Sequence, residues 1–96
     1  MKKTEPMLFD DVLRQMIEAS GMRPKMQAYA IENAWSGVVG DYIASFTGRR
    51  YVKDRVFHVY VVSAPMKEQL SYMRDALVKA LNEAAGEDVI DAIIIH

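Results

Sequence analysis

Apolar residues recur at helical spacing through the stretch W-S-G-V-V-G-D-Y-I-A-S-F, residues 35–46. Steps of three and four residues place its large side chains on one helix face: Trp35, Val38, Val39, Tyr42, Ile43 and Phe46. The period continues through Gly37 and Gly40, although each glycine costs a helix about 1 kcal/mol relative to alanine. Such glycines are typical of a helix that another backbone approaches closely. We therefore predict that this stretch is buried and completes a central helix over about residues 24–46, which Pro24 begins.

A second amphipathic helix is predicted near the N-terminus, over about residues 6–20. Thr4 can cap it, Pro6 is tolerated in its first turn, and Gly21 suits the left-handed residue that follows a helix. Its apolar residues form one stripe, which we expect to be buried: Phe9, Val12, Leu13, Met16 and Ile17.

A β-hairpin is predicted after residues 47–50, which we expect to end the central helix. Tyr51 and Val52 form a short strand, residues 53–55 the turn, and residues 56–62 the strand richest in β-branched and aromatic residues. Alternation predicts an apolar face packed on the helices: Phe57, Val59 and Val61. It predicts a mixed, half-exposed face on the other side: Val56, His58, Tyr60 and Val62.

The last third of the sequence predicts one long amphipathic helix and a closing strand. Ser63 is the predicted N-cap, and Gly86 is the residue at which the helix ends. The apolar stripe of this helix has five members: Met66, Leu70, Met73, Leu77 and Leu81. After a turn at Glu87 and Asp88, residues 89–95 form a last strand, which we expect to be interior to the sheet.

The predicted order is α-α-β-β-α-β, which is typical of an α+β fold. A three-stranded sheet covered by helices on one face would bury all the apolar stripes, in a plan related to the KH-like folds. Ninety-six residues suit one domain, with its core over about residues 6–96.

Composition and charge exclude several classes of function. The chain is 51% hydrophobic and 26% charged, which is typical of a globular protein, and its net charge of -1 predicts no overall attraction to nucleic acid. The absence of cysteine excludes disulfides, zinc fingers and thiol catalysis. Lys2 and Lys3 do not lead into an apolar run, so no signal peptide is predicted, and no apolar run reaches the roughly 20 residues of a membrane helix. We expect a cytoplasmic protein without membrane contact.

No catalytic constellation and no cofactor motif is found, so we predict a binding protein and not an enzyme. His58 and His96 have no partner at useful spacing for a metal site or a catalytic triad. Two interpretations of Gly37-Val38-Val39-Gly40 remain open. It spells the G-x-x-G of the KH nucleic-acid clamp, but its middle residues are valines within a helical period, which favours close helix packing.

A local basic cluster is the candidate binding site. Against the single negative charge of Asp54, residues 49–55 contain four positive charges, a local sum of +3. The candidate nucleic-acid contacts are Arg49, Arg50, Tyr51, Lys53 and Arg55. Arginine and lysine can hold a phosphate backbone while a tyrosine stacks on a base. The alternative is a solvated hairpin whose charges protect a sheet edge.

Three motifs occur in order: W-x-x-V-V-G-x-x-I-A at residues 35–44 followed by Thr47, V-F-H-V-Y-V-V-S at 56–63, and L-x-x-M-R-x-x-L-x-x-x-L-N-x-x-x-G at 70–86. In these motifs the sequence resembles the bacterial DciA-like family over about residues 6–96. The resemblance implies a KH-like domain that binds DNA and helps to load or activate the replicative helicase.

Two hypotheses follow. The first is a non-enzymatic nucleic-acid-associated accessory protein that contacts DNA through the hairpin and also contacts the replicative helicase. The second is a protein-interaction adaptor with no nucleic-acid role. Better-understood members use a C-terminal extension in helicase binding, whereas this sequence ends with its last predicted strand, so we expect at best micromolar affinity for the helicase. The sequence does not indicate an oligomeric state.

Overall fold

The computed structural model describes the backbone of residues 4–96, and the side chains of residues 11–16 and 18–96. Its elements, in chain order, are α1 (Thr4–Ala19), α2 (Arg23–Val39), α3 (Asp41–Ala44), β1 (Thr47–Lys53), β2 (Val56–Val61), α4 (Ala64–Ser71), α5 (Arg74–Ala85) and β3 (Ala92–Ile95). The predicted α+β class with a three-stranded sheet is confirmed. The central helix and the last helix are each divided into two, and residues 47–50 belong to β1 instead of ending a helix.

The sheet has the order β1-β2-β3, so β2 is its central strand. β1 and β2 form the predicted hairpin and pair antiparallel, with Tyr51 opposite His58. β3 pairs parallel with the other edge of β2, with His58 opposite Ile94. The prediction that the last strand is interior was wrong. An uninterrupted apolar run fits a strand covered on both faces, but here Ile93 is buried and Ile94 is 43% exposed.

Helices α2, α4 and α5 pack on one face of the sheet, as predicted. Among the side chains that the structure describes, ten form a single buried cluster: Ile31, Trp35, Phe57, Val59, Leu70, Leu77, Leu81, Val89, Ile90 and Ile93. At its centre the rings of Trp35 and Phe57 meet edge to face, with centroids 5.6 Å apart and planes at 60°. Aromatic pairs prefer this geometry because the positive ring edge meets the negative ring face.

The buried Trp35 indole is fully satisfied by hydrogen bonding. Its Nε1–H donates to Thr47 Oγ1 over 3.0 Å, and the Thr47 hydroxyl donates to Ala44 O over 2.7 Å. A buried indole without a partner would cost about 1–3 kcal/mol. The pair of bonds therefore ties the core helix α2, the end of α3 and the start of β1 together.

The predicted continuous helix through Gly40 was wrong. Gly40 has φ +90° and ψ 158°, a backbone conformation essentially restricted to glycine, and it separates α2 from α3. Gly37 and Gly40 are both exposed, and a Cβ built on either meets no atom within 4 Å, so neither lies in a close backbone contact. The G-x-x-G segment is the last turn of α2, with Val38 and Val39 packed against the core, and is not an exposed clamp loop. Periodicity missed the break because apolar residues on both sides of it still face the core.

Both ends of the predicted last helix are confirmed, but the prediction that it is continuous was wrong. The Ser63 hydroxyl accepts from Met66 N–H over 3.4 Å as the N-cap, and Gly86 ends α5 with φ +83°. Between them, residues 72–73 interrupt the helix. The sequence contains no glycine or proline there, so no local signal marks this break.

Asn82 organises the loop that leads from α5 to β3. Its Oδ1 accepts from the N–H groups of Val89 (2.9 Å) and Ile90 (3.0 Å), and its Nδ2 donates to Ile90 O (2.9 Å). Val89 and Ile90 are buried, so these backbone groups are out of reach of bulk water. One amide side chain thus supplies the hydrogen bonds that a strand would otherwise provide, and both residues join the core from a loop.

Helix α1 does not bury the stripe predicted for it. All of its described side chains are exposed, including Val12 (46%), Leu13 (45%) and Met16 (62%). The side chains of Thr4, Pro6, Phe9 and Ile17 lie outside the description. Gly21 follows the helix with φ +73°, as predicted. The described part of α1 is therefore an amphipathic helix whose apolar side is not covered by this chain.

The two glycines at the end of α2 should respond in opposite ways to the same substitution. Gly37→Ala should raise the free energy of unfolding by about 0.5–1 kcal/mol, because Gly37 lies in a helix with open space around it. Gly40→Ala should lower it by about 1–3 kcal/mol, because alanine is strained at φ +90°. Chemical denaturation of both variants measures the difference. Stabilisation by Gly40→Ala would contradict the described helix break.

Candidate nucleic-acid interface

The face of the sheet opposite the helices carries a group of aromatic rings and cations. Alternation along β2 places His58 and Tyr60 on this open face, while Phe57 and Val59 point into the core. The predicted half-exposed face is thereby confirmed, since His58 is half-buried and Tyr60 is 36% exposed. Tyr51 lies beside His58 from β1.

Two pairs of rings stack across the strands. Tyr51 and His58 have centroids 4.7 Å apart and planes 11° from parallel. Tyr60 and His96 have centroids 4.3 Å apart, also at 11°. Each pair thus joins a phenol to an imidazole, and the two pairs lie next to each other.

The two imidazoles are joined edge to edge. His58 Nδ1 lies 3.0 Å from His96 Nε2, and the ring centroids are 5.2 Å apart at 21°. The distance between the centroids is close to the Nδ1–Nε2 distance plus the distance from each centroid to its own nitrogen. The two rings therefore lie side by side in nearly one plane. A side-chain hydrogen bond between Tyr51 and Tyr60 raises the pKa of the Tyr60 phenol. We call these four residues, Tyr51, His58, Tyr60 and His96, the four-ring block.

Arg49 adds a cation to the block. Its guanidinium carbon lies 4.9 Å from the centroid of the Tyr51 ring, within the range of a cation–π contact. Lys53 is exposed and shares this face by alternation along β1. Within the part of the chain that the structure describes, neither cation has a carboxylate partner in a salt bridge. Both are therefore available to an anion.

Arg50 points to the other side of the sheet. Its Nε–H donates to Glu32 O over 3.2 Å, so it packs against α2. Adjacent residues of a strand face opposite ways, and the sequence cluster is divided for that reason.

Arg55 is held by the acidic residues before β3. Its guanidinium bonds both oxygens of Asp91 at 2.9 Å and donates to Asp88 O over 3.3 Å. The hydrogen bond from Arg55 lowers the pKa of Asp91, and the same bond raises the pKa of Arg55. Asp54 and Arg55 form a two-residue turn with φ 53° and 64°, which is unusual for residues other than glycine. The fork to Asp91 therefore helps to hold a strained turn and joins the hairpin to β3.

The sequence-predicted site is thus only partly assembled. Arg49, Tyr51 and Lys53 come together on the open face, whereas Arg50 and Arg55 are used elsewhere. Sequence reasoning missed the four-ring block. Alternation alone could have grouped His58 with Tyr60, but the position of His96 depends on parallel pairing between distant segments, for which the sequence holds no direct signal.

The remaining chemistry is limited. Among the described residues, no group of three or more histidines, cysteines or carboxylates is placed to hold a metal ion. No described helix is long and apolar enough to cross a membrane.

Comparison with known proteins gives one match. The family model described as "Dna[CI] antecedent, DciA" matches residues 8–95 of the 96-residue chain. Searches of curated proteins and of solved structures found no match. The KH-like plan therefore stays a prediction, while the family resemblance of the three motifs is confirmed.

The pairing of Arg55 with Asp91 predicts an acid-dependent stability. Because the folded-state pKa of Asp91 is depressed, its stabilising contribution is complete above the ordinary aspartate pKa of about 3.9 and is lost as the pH falls through the folded-state value. Asp91→Asn should therefore unfold with a weaker dependence on pH below about pH 5 than the wild type. Denaturant titrations across this range measure it. Equal pH dependence in both proteins would show that the pair does not act on stability.

Proposed function

Because this chain belongs to the DciA family, we propose that it is a non-enzymatic accessory protein of DNA replication that binds DNA through the open face of its sheet and contacts the replicative helicase. The family is associated with the replicative helicase, which supports a helicase-related role in replication. Such a role would place the protein in the cytoplasm with the chromosome.

The DNA-binding part rests mainly on one observation: Arg49 and Lys53 lie on the same open face as the four-ring block, and neither forms a salt bridge with any described residue. Cations bind the phosphates of a nucleic acid and set its position, while rings and polar groups between them contact the bases. The rings already stack on one another, so they offer mainly their edges, with phenol hydroxyls and imidazole nitrogens. A strand laid across this face would meet cations and hydrogen-bonding groups together.

This proposal narrows the cluster predicted from the sequence. Arg49, Tyr51 and Lys53 are retained as DNA contacts. Arg50 and Arg55 are assigned to holding α2 and the hairpin turn, because each already bonds to other groups of the chain. Alanine at either position would then test the fold more than the interface.

Replacing both free cations should weaken DNA binding. For single-stranded DNA, the logarithm of the binding constant falls linearly with the logarithm of the salt concentration, and each phosphate contact contributes about 0.7 to the slope. The double variant Arg49→Ala, Lys53→Ala should therefore have a slope shallower by about 1.4. The matched control is Arg74→Ala, Lys79→Ala, which removes two exposed cations from α5 and should leave the slope unchanged. Fluorescence anisotropy over a salt series measures both. Equal losses in the two variants would mean that only overall charge matters, and absence of wild-type binding at low salt would favour the adaptor hypothesis.

A protein partner is supported by the uncovered apolar side chains of the N-terminal region. Val12, Leu13 and Met16 of α1 are exposed, and so are Met22, before α2, and Met26 and Tyr29, within it, at 49%, 47% and 64%. An amphipathic helix of this kind binds by inserting its apolar side into a groove of a partner protein. We assign this surface to the helicase contact, because the family is associated with that partner.

One methionine substitution should separate the helicase contact from DNA binding. Met16→Glu should weaken binding to the replicative helicase of the same cell at least about tenfold, since it places a charge in the apolar contact. Met73→Glu is the matched control at another exposed methionine, distant in sequence and at the junction of α4 and α5. Isothermal titration gives both affinities, and DNA binding should be unchanged in each variant. If the wild-type protein gives no heat at tens of micromolar, this chain does not bind the helicase by itself.

A further inference from the structure

The hydrogen bond between His58 and His96 can hold only one proton. Each of the facing nitrogens, 3.0 Å apart, is either an N–H donor or a lone-pair acceptor. The neutral pair therefore has one proton in the bridge and one outer N–H. Adding a proton gives a cation with two outer N–H donors, and a further proton would force two N–H groups against each other. The pair is built to carry at most one positive charge.

The fold holds this pair firmly. His96 N–H donates to Val59 O over 2.8 Å, and Val61 N–H donates to His96 O over 3.0 Å, so the backbone beyond β3 is fixed to the central strand. Tyr51 and Tyr60 then stack on the two imidazoles and fix the planes of the rings. Separating the imidazoles would break ring contacts on both sides.

The charged and titratable groups around the pair favour an anion as its ligand. From β1 these groups are Arg49, Tyr51 and Lys53, and from β2 the group is Tyr60. Near β3 the side-chain carboxylate of Asp91 is already held by Arg55. The helices lie on the opposite side of the sheet. A proton on the pair would therefore join a positive neighbourhood, and a bound anion would be the natural compensation.

We propose that the four-ring block and Arg49 form a binding site for a phosphodiester of single-stranded DNA, and that filling this site is linked to uptake of one proton by the His58–His96 pair. The inference rests on the proposed DNA-binding function and adds to it two histidine contacts and a dependence on pH.

The sign of the effect follows from linkage. A phosphodiester beside the pair stabilises the protonated form, so bound DNA raises the affinity for the proton, and by reciprocity the proton raises the affinity for DNA. Binding must then strengthen as the pH falls. Imidazole is the side chain that ordinarily changes charge between about pH 5 and 8, and the sequence has 2 histidines, both in this pair. Any such dependence in the protein can therefore be traced by single substitutions.

Affinity for an oligothymidylate, measured by fluorescence anisotropy at about pH 6 and about pH 8 over a salt series, tests the inference. Thymine does not titrate in this interval, so a change with pH comes from the protein. We expect binding about three- to tenfold tighter at the lower pH, with a log–log salt slope steeper by about 0.7, because one more phosphate is neutralised.

Two kinds of variant identify the source of the effect. The double variant His58→Asn, His96→Asn should remove the pH dependence while retaining salt-dependent binding at the higher pH. The matched control is Tyr72→Phe, at an exposed tyrosine between α4 and α5 and outside the four-ring block, and its pH dependence should match the wild type. Thermal unfolding of every variant at both pH values shows whether the fold is intact. The single variants His58→Asn and His96→Asn keep the test informative if the double variant fails to fold, because each should weaken the pH dependence.

The possible failures are distinguishable. Equal wild-type affinity and slope at both pH values would overturn the proton linkage while leaving the Arg49 and Lys53 contacts in place. A pH dependence that persists in the folded double histidine variant would overturn it as well. Absence of binding at either pH would overturn this inference together with the proposed DNA-binding function.

Discussion

Burial of the Trp35 indole is the constraint on which the rest of the structure depends. The ring lies against Phe57 of the central strand, and its only polar atom is satisfied by Thr47 at the start of β1. Removing a buried tryptophan typically costs about 3–5 kcal/mol, a large share of the roughly 5–15 kcal/mol that stabilises a domain. Because the same residue joins the helix layer to both strands of the hairpin, its burial also fixes which face of the sheet is left open.

That open face derives its chemistry from residues that alternate with the core. Phe57 and Val59 face the helices, while His58 and Tyr60, their neighbours in the chain, face outward. The parallel pairing of β3 then brings His96 beside His58. A strand that anchors the core on one side thus supplies half of the four-ring block on the other, so the packing of the core also fixes the positions of these rings.

The sequence predicted the fold better than the site, for reasons that particular residues show. Local interactions can be predicted from one sequence. They determine the helix termini at Ser63 and Gly86, the hairpin, and the alternation along β2. Gly40 was misread because periodicity records which way side chains face and not whether the backbone is continuous. The charge cluster was predicted without reference to the faces of the strand, because counting charges along the chain does not show that Arg50 faces the helices.

The contacts of Arg55 and His96 could not be predicted from the sequence for a different reason. The partner of Arg55 is Asp91, and the partner of His96 is His58, each more than thirty residues away in the chain. Such contacts arise from sheet topology, and topology was predicted only in outline. The exposed side of α1 could not be predicted either, because an amphipathic pattern shows that a helix has an apolar side but not whether this chain or another protein covers it.

The pairing of β1 with β2 is irregular near the start of β1, where β1 contains an extra residue. Between Thr47, opposite Val61, and Arg50, opposite Val59, β1 has one residue more than β2. Without that extra residue, strict alternation would turn Thr47 outward with Arg49 and Tyr51, and the indole of Trp35 would lose its acceptor. The extra residue reverses the alternation of β1 at this point. Thr47 therefore faces the core, whereas Arg49 and Tyr51, also at odd positions, face solvent. The open-face residues of β1 can therefore be substituted without changing the register, whereas an insertion or deletion of one residue would exchange the core-facing and solvent-facing positions of the strand.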